Sequence, residues 1–131
     1  MSAEQMSIAG VWCDAEDGTT ADILNPATGE VMATTPKATL ADVNRCVDAS
    51  RAAFEDPSWK AMDPAQRGRI LNKMAQATYA KAKELAAIES NNNGKTFREA
   101  LSEIRYGAWT LEYFAGLSDK IEGSTIPVPG N

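Results

Sequence analysis

The sequence predicts an α+β fold in which a short antiparallel β flap is followed by three amphipathic helices. Turn signals and β-prone runs alternate through residues 7–36, where Asp17-Gly18 and Asn25-Pro26 mark turns. From Thr39 onward, the spacing of the apolar residues changes from about two to about 3.6, as in amphipathic helices. A chain of 131 residues has room for one modest domain.

Composition and charge exclude several classes of partner. The apolar content of 44% and the charged content of 24% are ordinary for a folded protein. The net charge of −5 argues against a nucleic-acid or anionic-membrane partner, because both attract basic surfaces. No apolar run approaches the roughly 20 residues that span a bilayer, and the first ten residues lack the basic and apolar regions of a signal peptide. We therefore expect a cytoplasmic protein.

The first helix is predicted over residues 39–55. Thr39 and Asp42 have the spacing of a capping box, and Asp56-Pro57-Ser58 ends the helix. One face carries a predicted apolar stripe of Leu40, Val43, Val47 and Phe54.

The second helix is predicted over residues 64–91. Asp63 suits the N-cap and Pro64 the first helical position, while Gly94 suits a left-handed turn after the end. The residues predicted to face inward are Ile70, Met74, Ala77, Leu85 and Ile88, and those predicted to face outward are Arg67, Lys73, Lys81 and Lys83.

The third helix is predicted over residues 97–117, opened by Thr96 as N-cap. Its inner stripe comprises Phe97, Leu101, Ile104, Ala108, Leu111 and Ala115, and a second stripe of Tyr106, Trp109 and Tyr113 lies beside it. Two partner helices cannot cover so wide an apolar arc, so another element should. Residues 1–131 thus form a partial domain: a flap (7–36), a three-helix segment (39–119) and an extended tail (120–131).

Chemistry-bearing residues are scarce. Histidine is absent, which excludes Cys–His and Ser–His catalysis and imidazole metal sites within the chain. Cys46 lies in an apolar-periodic stretch and is predicted to be a buried small hydrophobic residue; Cys13 lies in a predicted turn and carries no sign of reactivity.

Three motifs occur in an order and spacing that closely resemble the start of the aldehyde dehydrogenase superfamily. They are Asn25-Pro26-Ala27-Thr28-Gly29-Glu30, Asn93-Gly94-Lys95, and Tyr113-Phe114-Ala115-Gly116 with Asp119-Lys120. The resemblance extends over residues 8–130, with features of the betaine-aldehyde-type and broad-specificity branches. It implies that the flap and helices resemble the N-terminal part of the family's α/β dinucleotide-binding domain.

The resemblance implies a parent enzyme that oxidises an aldehyde to a carboxylate with NAD or NADP. In the family a cysteine attacks the aldehyde, a glutamate activates water and an asparagine amide stabilises the oxyanion. All of these, and the cofactor's phosphate loop, lie in family segments beyond Asn131. The resemblance therefore implies no catalytic or cofactor-binding residue in this chain, and no cofactor for the isolated chain. The implied partners are the remainder of the dehydrogenase, joined covalently or in trans, and further subunits of a homo-oligomer.

Two minor sites follow from the same resemblance. Tyr106 matches a position in the family's substrate tunnel, with Ser102 and Trp109 nearby; the alternative is that Tyr106 packs in the core.

The second is a site for a monovalent cation, K⁺ or Na⁺, formed in the family by two backbone carbonyls and an acidic residue. The matching positions are Ile23, Leu24 and Asn92, and the asparagine weakens cation binding without abolishing it, because its amide oxygen can still coordinate. The alternative is that Asn92 and Asn93 simply cap a helix.

Lys95 matches a lysine shared in the family, and we expect it to be an exposed, solvated side chain.

Two other functions stay open. The chain can be an autonomous small helical module that binds or assembles without catalysis, or a regulatory decoy that inserts into full-length oligomers.

Overall fold

The computed structural model describes residues 2–127, apart from the side chain of Ser2. Five strands precede five helices in this part of the chain. Residues 120–127 belong to neither a helix nor a strand, and the last four residues of the predicted tail lie outside the described residues. The order of a β flap followed by helices is as predicted.

The strands form two small sheets. Their bounds are β1 (Ser2–Ala3), β2 (Met6–Ile8), β3 (Val11–Cys13), β4 (Thr20–Leu24) and β5 (Val31–Pro36). The strands β2 and β3 form an antiparallel hairpin, and β5 pairs antiparallel with β4. The additional pairing is β1 with β5, which is parallel and begins before the predicted flap.

The tight turns of the flap use the residues that the sequence indicates. Asn25 accepts hydrogen bonds at its carbonyl from the Gly29 N–H (2.8 Å) and at its side chain from the Ala27 N–H (2.9 Å). Gly29 has a φ of 73°, a conformation that glycine adopts without steric cost. This turn places Pro26 in contact with the helical part of the chain at Gly94.

The helices are α1 (Leu40–Glu55), α2 (Pro57–Lys60), α3 (Pro64–Ala80), α4 (Ala82–Asn93) and α5 (Phe97–Leu117). Thr39 and Asp42 form the predicted capping box of α1, and Asp63 caps α3 by accepting from the Ala65 N–H. Thr96 caps α5 by accepting from the Glu99 N–H at 3.3 Å. Residues 39, 63 and 96 thus start their helices where the sequence indicates.

Two helix boundaries differ from the prediction. The predicted second helix is divided at Lys81, whose φ of −100° and ψ of 8° leave the helical range. Neither glycine nor proline lies there, so the sequence carries no signal for the break. The short helix α2 follows α1 directly, because Asp56 caps it by accepting from the Ser58 N–H.

The core of the described chain is made of small residues. Its buried apolar residues are Ala15, Ala33, Ala75, Ala82, Ala86, Ala100 and Ala108. Both α3 and α4 pack on α5. A methyl group at Gly68 of α3 would lie 2.7 Å from the Ala115 carbonyl oxygen of α5, so only glycine permits this approach. Close backbone contact, rather than large side chains, joins the helices.

The predicted inner faces of the first two helices are wrong in part. The exposed members are Leu40, Val43, Val47, Phe54, Ile70, Met74, Ala77 and Ile88, together with Phe97 of α5. The rest of the α5 inner stripe is buried or half-buried, as predicted, and so is Leu85. Periodicity identifies an apolar face but not its cover, and the contacts within the described chain, such as that of β2 with α1, leave these side chains exposed.

Three single-residue predictions are also wrong. Cys13 lies in the strand β3 rather than in a turn. Cys46 is exposed rather than buried, because it belongs to the uncovered side of α1. Arg67 does not point outward. Its guanidinium lies 5.0 Å from the ring centroid of Trp59 and donates to the Trp59 carbonyl at 2.8 Å. Arg67 therefore fastens α3 to α2.

Candidate functional site

One side of α5 carries a continuous aromatic surface. Ser102, Tyr106, Trp109 and Tyr113 follow one another at steps of four, three and four residues, which places them on one side of the helix. The ring centroids of Tyr106 and Trp109 are 5.5 Å apart, and those of Trp109 and Tyr113 are 5.8 Å apart, both stacked. We call these four residues the aromatic face.

The aromatic face is open to solvent. Tyr106 is 66% exposed, Trp109 is 50% exposed and Tyr113 is 53% exposed, while Ser102 is also exposed. On the other side of α5, Ala100 and Ala108 are fully buried against α3 and α4. Tyr106 therefore does not pack in the core of the described chain, and the structure brings together all three residues predicted for the tunnel.

The candidate cation residues lie at a contact between the flap and the helices. A methyl group at Gly94 would lie 3.1 Å from Cγ of Pro26, so the two turns touch. Leu24 is two residues before Pro26, and Asn92 is two residues before Gly94. Ile23 is half-buried, whereas Leu24 and Asn92 are exposed. The structure thus brings the two predicted segments together.

The oxygen atoms at this contact are of the kind that hard cations prefer. The β4–β5 pairing shifts register beside Ile23 and Leu24. Ile23 pairs with Ala33 and Leu24 with Val31, so the extra, unpaired residue is Met32 of β5. Asn92 is the penultimate residue of α4, where carbonyls lack helical partners and carry the negative end of the helix dipole. Gly94, with a φ of 80°, is the C-cap, so Asn92 and Asn93 end the helix rather than cap it.

Lys95 is not the solvated side chain that the sequence suggests. Its ammonium group pairs with Glu103 of α5 and with Glu89 of α4, the latter at 3.5 Å, and the side chain is only 27% exposed. The Glu103 carboxylate, and then that of Glu89, raise the pKa of Lys95 above its usual range. Lys95 therefore joins two helices.

Asp42 is buried and accepts several hydrogen bonds, whereas the sequence predicts only its role in the capping box of α1. It is the only fully buried charged residue in the described chain. Its carboxylate accepts from the Thr39 N–H (2.8 Å), the Glu16 N–H (3.2 Å) and Arg45. The hydrogen bond from the Thr39 backbone is the main cause of its pKa falling well below its usual range. No local pattern could indicate the bond to residue 16, which is 26 positions away.

Residues 2–127 contain no group of three or more histidine, cysteine, aspartate or glutamate side chains arranged to hold a metal ion. In the same residues, no helix has the length and apolarity to cross a membrane.

Comparison with known proteins decides the family. Residues 12–131 match the model of the aldehyde dehydrogenase family. The chain belongs to this family. It is 49% identical over 114 residues to (Z)-2-((N-methylformamido)methylene)-5-hydroxybutyrolactone dehydrogenase from Acinetobacter baylyi, covering 86% of this chain and 23% of that dehydrogenase.

Solved aldehyde dehydrogenases share the fold. An NAD-dependent aldehyde dehydrogenase from Sinorhizobium meliloti superposes with a TM-score of 0.87 at 38% identity, over 93% of this chain and 24% of that one. An aldehyde dehydrogenase from Bacillus cereus, solved as its NAD⁺ complex, superposes with a TM-score of 0.88 at 35% identity, over 97% and 26% of the two chains.

The chain spans about a quarter of the length of these aldehyde dehydrogenases, whose N-terminal domains it matches. The remaining three quarters or so of each relative has no counterpart among residues 1–131. The large apolar side chains left exposed here, from α1 to α5, provide surface on which such a chain can pack.

Proposed function

We propose that this chain supplies the N-terminal part of an NAD- or NADP-dependent aldehyde dehydrogenase that oxidises an aldehyde to a carboxylate. The observation that carries the proposal is the TM-score of 0.87 with an NAD-dependent aldehyde dehydrogenase at 38% identity, combined with the coverage of only 24% of that enzyme. On this proposal residues 1–131 form a partial domain: the flap, the helical segment and the tail contribute structure rather than reacting groups.

No residue of this chain is assigned to the dinucleotide. Dinucleotide sites of the strand–loop–helix kind need glycines where the loop approaches the pyrophosphate. Here β5 connects to α1 through Lys37, Ala38 and Thr39, which include no glycine. The described residues at this connection therefore do not fit the cofactor, and we propose that the remaining part of the enzyme holds it.

The aromatic face is proposed to line the substrate tunnel through Ser102, Tyr106 and Trp109. Its stacked, uncharged rings form a wall that favours the apolar body of an aldehyde over a charged group. This role is a proposal from the resemblance and the exposure of the rings.

The contact between Pro26 and Gly94 is proposed to hold a monovalent cation, K⁺ or Na⁺. The ligands would be the carbonyl oxygens of Ile23 and Leu24 and an oxygen of Asn92. The carboxyl end of α4 and the contact between Pro26 and Gly94 support the assignment.

The proposed partners are the remainder of the dehydrogenase, covalently attached or in trans, and further copies in a homo-oligomer. Cytoplasmic residence is proposed with them.

The second candidate function is that of an autonomous helical module without catalysis. It is disfavoured by the exposure of Phe54, Met74 and Trp109, each at least half exposed, since a self-sufficient domain covers such side chains.

A complementation experiment tests the proposal. The 131-residue chain is co-expressed with the complementary three quarters of the Sinorhizobium meliloti relative, and aldehyde-dependent reduction of NAD⁺ and NADP⁺ is measured. Stable association and recovery of turnover are expected. A soluble monomer that binds no hydrophobic dye and never associates with the complementing segment would favour the autonomous module. The coding sequence downstream of residue 131 is a second test: a continuing frame with a cysteine-bearing dehydrogenase segment supports the proposal.

A further inference from the structure

The side chain of Lys95 lies in a network that joins the end of α4 to the start of α5. Its ammonium group pairs with Glu89 and Glu103. Because Glu89 belongs to α4 and Glu103 to α5, one cation holds two helices that a turn of three residues connects. The Lys95 side chain is 27% exposed, against 39% for Glu89 and 60% for Glu103, so the lysine end of these ion pairs is partly shielded from water, which strengthens them relative to fully exposed pairs.

The backbone of the same turn is fixed by side chains. The Ser90 hydroxyl donates to the Lys95 carbonyl at 2.7 Å, and the Lys95 N–H donates to the Asn93 side chain at 2.9 Å. The Asn93 amide donates in turn to Glu89 at 2.7 Å. The carboxylate of Glu89 thus receives both the Lys95 ammonium and the Asn93 amide, which links the turn to α4.

This ordered turn is what the flap touches. Gly94 lies against the ring of Pro26, and a single added methyl group there would be 3.1 Å from Cγ of the ring. Pro26 belongs to the turn between β4 and β5, two residues after Leu24 at the end of β4. A displacement of the Lys95 turn therefore moves the surface against which the flap rests.

We propose that Lys95 is a positioning residue: paired with Glu89 and Glu103, it holds the Gly94 turn against Pro26 and so fixes the distance between Asn92 and the end of β4 at Ile23 and Leu24. The effect on cation binding rests on the proposed cation site. The effect on the seating of the flap does not, because it follows from the contacts of Lys95, Gly94 and Pro26 themselves. The two consequences can be measured separately.

The test uses the natural polypeptide that carries these 131 residues. Lys95→Met removes the ammonium group and keeps the length of the side chain, while Lys95→Arg keeps the charge. The matched control is Lys81→Met, which removes an exposed lysine that pairs at 3.9 Å with Glu84. Hydrogen–deuterium exchange of β4 reports the seating of the flap, and the difference in melting temperature between KCl and choline chloride at equal ionic strength reports cation binding.

Lys95→Met is expected to speed amide exchange in β4 by about fivefold and to abolish the KCl-dependent rise in melting temperature. Lys95→Arg should restore both, and Lys81→Met should change neither. Unchanged exchange in β4 with Lys95→Met, or a lower melting temperature with an intact response to KCl, would overturn the proposal. If the wild type itself shows no response to KCl, the cation site is refuted and the exchange measurement decides the role of Lys95. If Lys95→Met does not fold, Glu103→Gln, which removes one anchor, replaces it in both measurements.

Discussion

The rings of Tyr106 and Trp109 stack on one side of α5 with 5.5 Å between their centroids, yet both side chains remain at least half exposed. A stacked aromatic pair normally contributes to a core or an interface, because each large ring can bury about 150 to 250 Å². With Tyr113 beside them, the rings form an uncovered apolar surface. Surfaces of this kind cause soluble proteins to associate.

The isolated 131-residue chain should therefore bind a hydrophobic dye and self-associate. Replacing Trp109 and Tyr113 by glutamine should lower dye fluorescence and aggregation, with little loss of helix content, because glutamine is a good helix former. Dye titration, sedimentation velocity and circular dichroism measure these effects. Phe54→Gln is the matched control, since this exposed aromatic side chain lies on α1, outside the aromatic face. A wild-type chain that is monomeric and silent toward the dye would contradict the prediction.

Gly68→Ala should lower the free energy of unfolding by about 1–3 kcal/mol, because the added methyl group would lie 2.7 Å from the Ala115 carbonyl oxygen and force α3 from α5. Gly107→Ala should do the opposite, by about 0.5–1 kcal/mol, since nothing lies within 4 Å and alanine is the better helix former. Urea denaturation of the natural polypeptide measures both. Equal effects of the two changes would show that α3 and α5 are not in close contact.

Stability should fall in acid because of Asp42. The pKa of this carboxyl is lowered in the folded state, so its stabilisation is complete above the ordinary value of 3.8 and is lost as the pH falls below that value. Asp42→Asn, which keeps one acceptor oxygen, should destabilise the fold near pH 7 and flatten the acid dependence below pH 4. Denaturation midpoints between pH 2 and about pH 7 provide the measurement. The exposed Asp48→Asn on α1 is the control, and an acid dependence equal in the wild type and Asp42→Asn would rule out this role.

The purified chain should neither oxidise aldehydes nor bind NAD⁺ or NADP⁺ at ordinary affinity. The reason is that the chain spans only about a quarter of its relatives, and the resemblance to the family implies no catalytic or dinucleotide-binding residue within residues 1–131. Absorbance at the reduced-nicotinamide band and calorimetric titration of each dinucleotide measure the two properties. Turnover above that of a vector control would contradict the prediction, as would a saturable dinucleotide-binding curve.

The sequence allowed correct prediction of features whose causes are local. Thr39, Asp63 and Thr96 begin helices as the sequence predicts. In each case a side-chain oxygen accepts from a backbone N–H two or three residues later, and this bond does not depend on the tertiary fold. The aromatic face was predicted from its spacing on a single helix. The family followed from motifs that are contiguous in the chain.

The features that the sequence did not reveal depend on distant partners. The exposure of Cys46 follows from the lack of a cover on α1, and the burial of Asp42 follows from its bond to Glu16. Lys95 was expected to be solvated because an isolated lysine usually is, yet Glu89 and Glu103 meet it only after α4 and α5 fold together. Such contacts require the tertiary arrangement.

The alanine core has a calorimetric consequence. The heat-capacity increment of unfolding grows with the apolar area that unfolding exposes to water. A core of Ala75, Ala86, Ala100 and Ala108 exposes little such area, while the larger side chains of α1, α3 and α5 are solvated before unfolding begins. Heating the isolated chain should therefore give a broad transition with a small heat-capacity step. Binding of a complementary chain should enlarge that step. The larger side chains are then buried in the interface before unfolding and become exposed to water when the complex unfolds.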